Sequence, residues 1–281
     1  ALGGAHAKLF ASRGANVVVN DLGGDAFGTG SGTSLADKVV DEIKAAGGNA
    51  IANYDTVSTM DGAQAMVKSG VDAFGSVHVL VNNAGILRDV SFKKMSEEDW
   101  DKIFEVHVKG AFCTSKAVWE IFREQNFGRI INTTSAAGIY GNFGQANYSA
   151  AKMSLIGLSQ TLALEGAKYN IHTNAIAPVA GSRLTATVMP PQILEKLKPE
   201  AVSPLVGWLC SEECKENGAL FEVGAGAFFH LRWQRGKGFK TAQESGVASI
   251  EELRDNWSKV TDLSEAKTVK SIAESTGSFM A

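Results

Sequence analysis

Cysteine, proline and net charge are all scarce in this chain, and each scarcity closes off a class of protein. Three cysteines among 281 residues cannot build a disulfide framework, and Cys113, Cys210 and Cys214 lack metal-knuckle spacing. The Cys-x3-Cys of "WLCSEEC" could be half a metal site, but no second Cys or His pair completes it. Reduced thiols and no bound metal are expected. Five prolines make no Pro-rich linker, and no long repeat is visible. A formal net charge of -3 leaves no electrostatic footprint for nucleic acid. No apolar run reaches the ~18 residues of a membrane span, and no secretory h-region opens the chain. Asn-x-Ser/Thr matches at 132, 147 and 256 carry little weight without such a signal.

What is abundant is apolar surface. A hydrophobic content of 44% provides core for one large α/β domain, or for a domain with an appendage. Short β-branched runs at 16–21, 50–55, 77–85, 128–135, 171–178 and 220–226 predict strands. They are continuous rather than alternating, as in strands buried on both faces. Between them lie helical patterns, notably 97–125 and 148–169. Repeated strand–helix units imply a doubly wound parallel α/β sheet of Rossmann type, with a C-terminal helical extension. The predicted division is a nucleotide-binding catalytic domain over 1–226 and an extension over 227–281, with one helix near 249–258. The chain opens on a helix with no strand before it, although a βαβ unit needs one. The expectation is that the natural protein extends upstream with the first strand. The glycine-rich stretch 21–38 reads as a mobile surface loop rather than a phosphate loop. The aromatic residues Phe228, Phe229 and Trp233 of the extension are expected to be buried against something.

Four features carry chemistry. "LGG" at 2–4 opens a helix whose free N–H groups suit a pyrophosphate, so Leu2 and Gly3 are candidate cofactor contacts. Asp21 ends the next strand, where a carboxylate can bind ribose hydroxyls and repel a 2′-phosphate; the alternative is a turn-forming Asp before Gly. "NNAG" at 82–85 ends a strand at its carboxyl edge, which presents Asn83, Ala84 and Gly85. Ser135 ends another strand, thirteen residues before Tyr148, and Lys152 follows Tyr148 by one helical turn. Taken alone, that pair is ordinary: a packed Tyr and a solvated Lys. A phenol has a pKa near ~10 in water, and a cation held beside it favours the phenolate.

Ser135, Tyr148 and Lys152 together with "NNAG" resemble the short-chain dehydrogenase/reductase superfamily. That resemblance implies a nicotinamide cofactor, a base at Tyr148, a Lys152 that lowers its pKa and holds the nicotinamide ribose, and a Ser135 that stabilises the substrate oxygen. "NDLGGD", "NNAGILRD", "GIYGNFGQANYSAAK", "AGSR" and "LFEVGAG" are further similar to the (3R)-hydroxyacyl-CoA dehydrogenase units of peroxisomal multifunctional enzymes. This closer likeness implies NAD as cofactor, a fatty acyl-CoA substrate, a peroxisomal setting, a homodimer and fusion or coupling to an enoyl-CoA hydratase. It adds Asp55, Val57, Ala180, Gly181, Ser182 and Arg183 to the cofactor contacts. His107 stands where the superfamily carries an Asn and joins the catalytic set; its alternative is a packing histidine. Neighbouring readings are a 3-oxoacyl-carrier-protein reductase, a steroid dehydrogenase, or a nucleotide sensor without catalysis.

Overall fold

The structure is a computed structural model that describes residues 1–181 and 196–280. Its elements run α1 (Leu2–Ser12), β1 (Asn16–Asn20), α2 (Ser34–Ala45), β2 (Asn49–Asn53), α3 (Met60–Phe74) and β3 (Val79–Asn82). Then come α4 (Glu97–Phe104), α5 (Gly110–Gln125), β4 (Gly128–Thr133), α6 (Ala136–Tyr140), α7 (Ala146–Gly166) and β5 (Ile171–Pro178). The last elements of this unit are α8 (Ser203–Leu209), β6 (Leu220–Gly224) and β7 (Ala227–Leu231).

Strands β1 and β2 pair in parallel as one ribbon, and β3 to β6 pair in parallel within a five-stranded sheet of order β3-β4-β5-β6-β7. Among the described residues no strand pairing joins the two. The larger sheet is buried on both faces, because successive side chains of a strand point opposite ways. Ile130 packs with Leu80, Val118, Phe122 and Ile171, under α3 and α5. Its neighbour Ile131 packs with Ile176, Val202, Val206 and Leu209, on the side of α8. Helices therefore cover both faces, as the continuous hydrophobic runs predict.

The chain parts into two compact units, Ala1–His230 and Leu231–Ala281. The first runs past the boundary expected at Gly226: Ala225 and Gly226, both at positive φ, turn β6 into β7. In the second unit the single helix expected near 249–258 is two, Ile250–Asp255 and Trp257–Thr261, which meet at Asn256. Phe228, Phe229 and Trp233 are half or more exposed, so their expected burial is not met within one chain. Cys113, Cys210 and Cys214 are buried and unbridged. No helix among the described residues is long and apolar enough to cross a membrane.

Candidate active site

The expected site residues follow the carboxyl ends of the strands, where ligands bind in open α/β sheets. Asp21 follows β1, Asp55 and Val57 follow β2, and Asn83, Ala84 and Gly85 follow β3. Ser135 follows β4, and Ala180 and Gly181 follow β5. Ser182 and Arg183 lie outside the described residues.

Helix α1 starts at Leu2, and the Ala1 before it carries no side chain that could cap the first N–H groups. It stands close to the loop after β3: a Cβ on Gly3 would lie 2.8 Å from Asn83 Nδ2. Asp21 plays the turn role as well, since its Oδ1 accepts from Gly23 N–H at 2.7 Å. That bond uses one oxygen and leaves the other for a hydroxyl. Asn20 and Asn53 brace this edge: Asn20 Nδ2 donates to Asn53 Oδ1 at 2.7 Å and to the Asp55 carbonyl at 2.9 Å. Asn53 Nδ2 in turn donates to Asp55 Oδ2 at 2.8 Å. Val57 faces the start of α5, where a Cβ on Gly110 would come 2.9 Å from its Cγ2. The stretch 21–33 is a hydrogen-bonded loop: Asp25 Oδ1 accepts from Phe27 and Thr29 N–H groups, and Leu87 N–H donates to the Ala26 carbonyl.

Ser135 caps α6 by accepting from Ala137 N–H at 3.2 Å. Helix α6 packs so closely on α7 that a Cβ on Gly138 would sit 2.9 Å from the Lys152 Cβ. This contact sets Ser135 beside Tyr148. Lys152 is buried; its Nζ donates to the Thr133 carbonyl at 2.6 Å and lies 5.5 Å from the centre of the Tyr148 ring. Burial pulls the Lys152 ammonium down to about 7. Burial also dominates at Tyr148, which is pushed up to about 12, with a Ser135 hydrogen bond opposing and the Asp89 charge adding. The shift of Tyr148 is therefore upward, against the lowering by Lys152 that was expected. A lysine already held near neutral pH by its dry surroundings offers only part of a positive charge.

His107 interrupts the helix expected over 97–125. Residues Glu105–Lys109 form a π-helical turn between α4 and α5, a distortion that re-aims side chains and recurs at functional sites. The buried imidazole lies edge-on to Tyr148, with ring centres 5.4 Å apart. Its Nε2 is 2.9 Å from the Ile86 carbonyl and 3.2 Å from the Ile86 N–H, and the tautomer decides which is engaged. Burial first, then the Lys152 charge, holds it neutral, well below its ordinary pKa. Nδ1 is buried and has no partner among the described residues. A Cβ on Gly85 would meet the ring at 2.5 Å, so glycine is required there.

Four residues that position the site were given no role in the sequence reading: Asn147, Arg88, Asn82 and Asn132. Asn147 is fully buried beside Tyr148; its Nδ2 donates to the Arg88 and Asp99 carbonyls at 3.2 and 3.1 Å, and its Oδ1 accepts from Tyr148 N–H. Arg88 reaches Glu98 and Asp99 on α4. Asn82 Nδ2 donates to Asn132 Oδ1, whose own Nδ2 donates to Ser159 on α7, a polar line through the core. The residue before the tyrosine and an Asn at or next to the end of two strands were the available signals. Two surface cavities, of about 750 and 580 Å³, are lined by other residues.

Residues 1–192 match the family model described as short chain dehydrogenase. The chain belongs to this family. It is an oxidoreductase family whose members use NAD(P). The chain is 55% identical over 279 residues to the peroxisomal multifunctional enzyme type 2 of Mus musculus, covering 99% of this chain and 38% of that protein. The full-length peroxisomal multifunctional enzyme type 2 of Drosophila melanogaster superposes with a TM-score of 0.83 at 44% identity, over 99% of this chain and 46% of that one. A short chain dehydrogenase from Mycobacterium avium superposes at 0.81 with 40% identity, over 93% and 92%. The chain therefore spans 38% and 46% of the length of these two multifunctional relatives.

Proposed function

We propose that the chain is the NAD-dependent dehydrogenase unit of a peroxisomal multifunctional enzyme, oxidising (3R)-3-hydroxyacyl-CoA to 3-oxoacyl-CoA. The observation that carries the chemistry is the cluster of Ser135, Tyr148 and Lys152 beside the carboxyl ends of the strands. The identity to multifunctional enzymes supports the substrate, the peroxisomal setting and the coupling to a hydratase.

The residues present fit a dinucleotide. The uncapped start of α1 suits the pyrophosphate, with Leu2 and Gly3 nearest, and the free oxygen of Asp21 suits the adenosine ribose. Asp55, Val57, Asn83, Ala84, Gly85, Ala180 and Gly181 would complete the cleft, with Lys152 on the nicotinamide ribose. Bound NAD supplies acceptance of the hydride that leaves the carbinol carbon. Ser135 holds the substrate oxygen, and Tyr148 takes the hydroxyl proton as the carbonyl forms. The charged form of Lys152 favours the phenolate, and an anionic ligand nearby would favour that charged form. His107, neutral and fixed on Ile86, keeps Nδ1 for a water or a backbone group at the proton's exit.

A homodimer through α5 and α7 fits the apolar side chains Phe112, Met153 and Leu164, which stand exposed on those helices. Turnover of (3R)-hydroxyacyl-CoA, followed by NADH absorbance, tests the activity. A thermal shift with NAD but no turnover would leave the nucleotide-sensor reading standing. For the cofactor, Asp21→Ala should narrow a wild-type preference for NAD over NADP; a wild type that prefers NADP would overturn that assignment.

A further inference from the structure

The loop after β3 meets three other segments, and a single residue on it bonds to all three. Arg88 Nε donates to the Phe27 carbonyl at 3.3 Å, in the loop that begins at Asp21. Its Nη1 donates to Glu98 Oε1 at 3.0 Å and to Asp99 Oδ1 at 3.3 Å, on the first turn of α4. Its backbone carbonyl, together with that of Asp99, accepts from Asn147 Nδ2 at the start of α7. Asn147 Oδ1 then accepts from Tyr148 N–H at 2.8 Å. Two contacts run alongside on the Asp21 loop. Leu87 N–H donates to the Ala26 carbonyl at 3.0 Å, and a Cβ on Gly28 would lie 2.9 Å from Ile86 Cδ1. The side chains of Arg88 and Asp99 are 20% and 28% exposed, so their pair is better shielded than an ordinary surface pair.

We propose that Arg88 is a positioning residue that ties the adenosine edge of the cofactor cleft to the acid–base tyrosine. This rests on the function proposed above and deepens it, since Asp21 holds a ribose and Tyr148 moves a proton only in that reading. The tyrosine end works through Asn147. That side chain is fully buried, and a buried donor left without an acceptor is costly. Its two acceptors are the carbonyls of Arg88 and Asp99, and the ion pair between the same two residues fixes how far apart those carbonyls stand. The cofactor end uses a different atom, Nε, in a directed bond to the Phe27 carbonyl. A planar guanidinium can serve both ends at once, whereas an ammonium is a point charge that serves one. Arg88 thus acts through Phe27 and Asn147, and not on the reacting atoms.

The test begins with Arg88→Met, which keeps the stem and the backbone carbonyl and removes the fork. It should weaken NAD binding about fivefold, the worth of one net hydrogen bond, and lower kcat with (3R)-hydroxybutyryl-CoA about tenfold through a displaced tyrosine. Arg88→Lys should recover most of kcat, because an ammonium can still pair with Asp99, but not the affinity for NAD. A residue that only stabilised the fold would lower Tm and leave both constants as they are. Amide exchange followed by mass spectrometry needs neither turnover nor cofactor. In Arg88→Met, exchange should quicken in 21–33 and in 145–149, two segments far apart in sequence, with β4 and β5 unchanged. Wild-type values of both constants in Arg88→Met overturn the proposal, and so does a lysine variant that restores affinity and turnover alike. If the wild type neither binds NAD nor oxidises the thioester, the function proposed above fails instead, and the exchange pattern decides the role of Arg88. Quickening in one segment alone, in neither, or throughout the chain sinks it.

Discussion

Tyr148 and Lys152 each sit where burial penalises their charged form, so the phenol is held protonated and the amine near neutrality. This has a direction. Tyr148 must be deprotonated to act as a base and protonated to act as an acid. With its pKa raised to about 12, oxidation of the alcohol should accelerate as pH rises above 7, while reduction of the ketone should be favoured at and below 7. Initial rates in both directions across pH 6 to 10 check this; oxidation that peaks below pH 7 would contradict it. Tyr148→Phe should keep cofactor affinity and lose at least ~10²-fold in turnover, the scale of a positioned acid–base group. Near-normal turnover would remove Tyr148 from the reaction. These residues were legible because their spacing is local: a tyrosine and a lysine one turn apart, and a serine at a strand end. Asn147 and Arg88 were not, because a lone polar residue has no period. Their roles arise only when the loop after β3 folds onto the start of α7.

The element that departs most from its pattern is the helix run from Glu97 to Gln125. Its apolar spacing is continuous, so the sequence predicts one helix, and the π-helical turn at Glu105–Lys109 leaves no mark in that period. A π turn gives up regular backbone bonding, which is tolerated where something holds the displaced side chain. Here the bonds between His107 and Ile86, and the glycine at 85, supply that hold. Replacing the imidazole by a group that cannot bond leaves the buried Ile86 amide unpaired, at about 1–3 kcal/mol. His107→Leu should therefore lower turnover and stability together, whereas His107→Asn should retain more of both. Equal and full activity in the two variants would return His107 to simple packing. By contrast, the start of α4 was written locally, in the capping box of Ser96 and Asp99.

At the scale of the whole molecule, the parallel order and the two-faced burial followed from the continuous hydrophobic runs. Strand β7 did not, since "AFFHL" has no burial alternation and its second and third residues stay exposed. Stability as a function of pH belongs to this scale too. Two buried histidines and one half-buried one in the first unit are held below their ordinary pKa, chiefly by desolvation: His6 to about 4, His107 well below, and His172. His6 lies against Ser203, with its Nδ1 2.8 Å from the hydroxyl, and its Nε2 is buried without a partner. Each of these groups binds a proton more readily when unfolded. Above the unfolded value of 6.5 they cost nothing; as pH falls through 6.5 the unfolded state gains protons first and stability declines. For His6 the loss would reach about 3 kcal/mol once pH falls below its folded value. The depressed carboxyls, such as Asp25 and Asp99, act only at lower pH, because their unfolded value is 3.8. The buried Lys152, held near 7, adds to the decline between pH 7.5 and 6, so the step from pH 6 to 5 belongs chiefly to the histidines. Urea midpoints measured at pH 7.5, 6 and 5 should fall steadily, and His6→Gln should flatten that slope. A midpoint constant over the window, or a slope the same in the variant, would show that His6 is not held neutral by its burial.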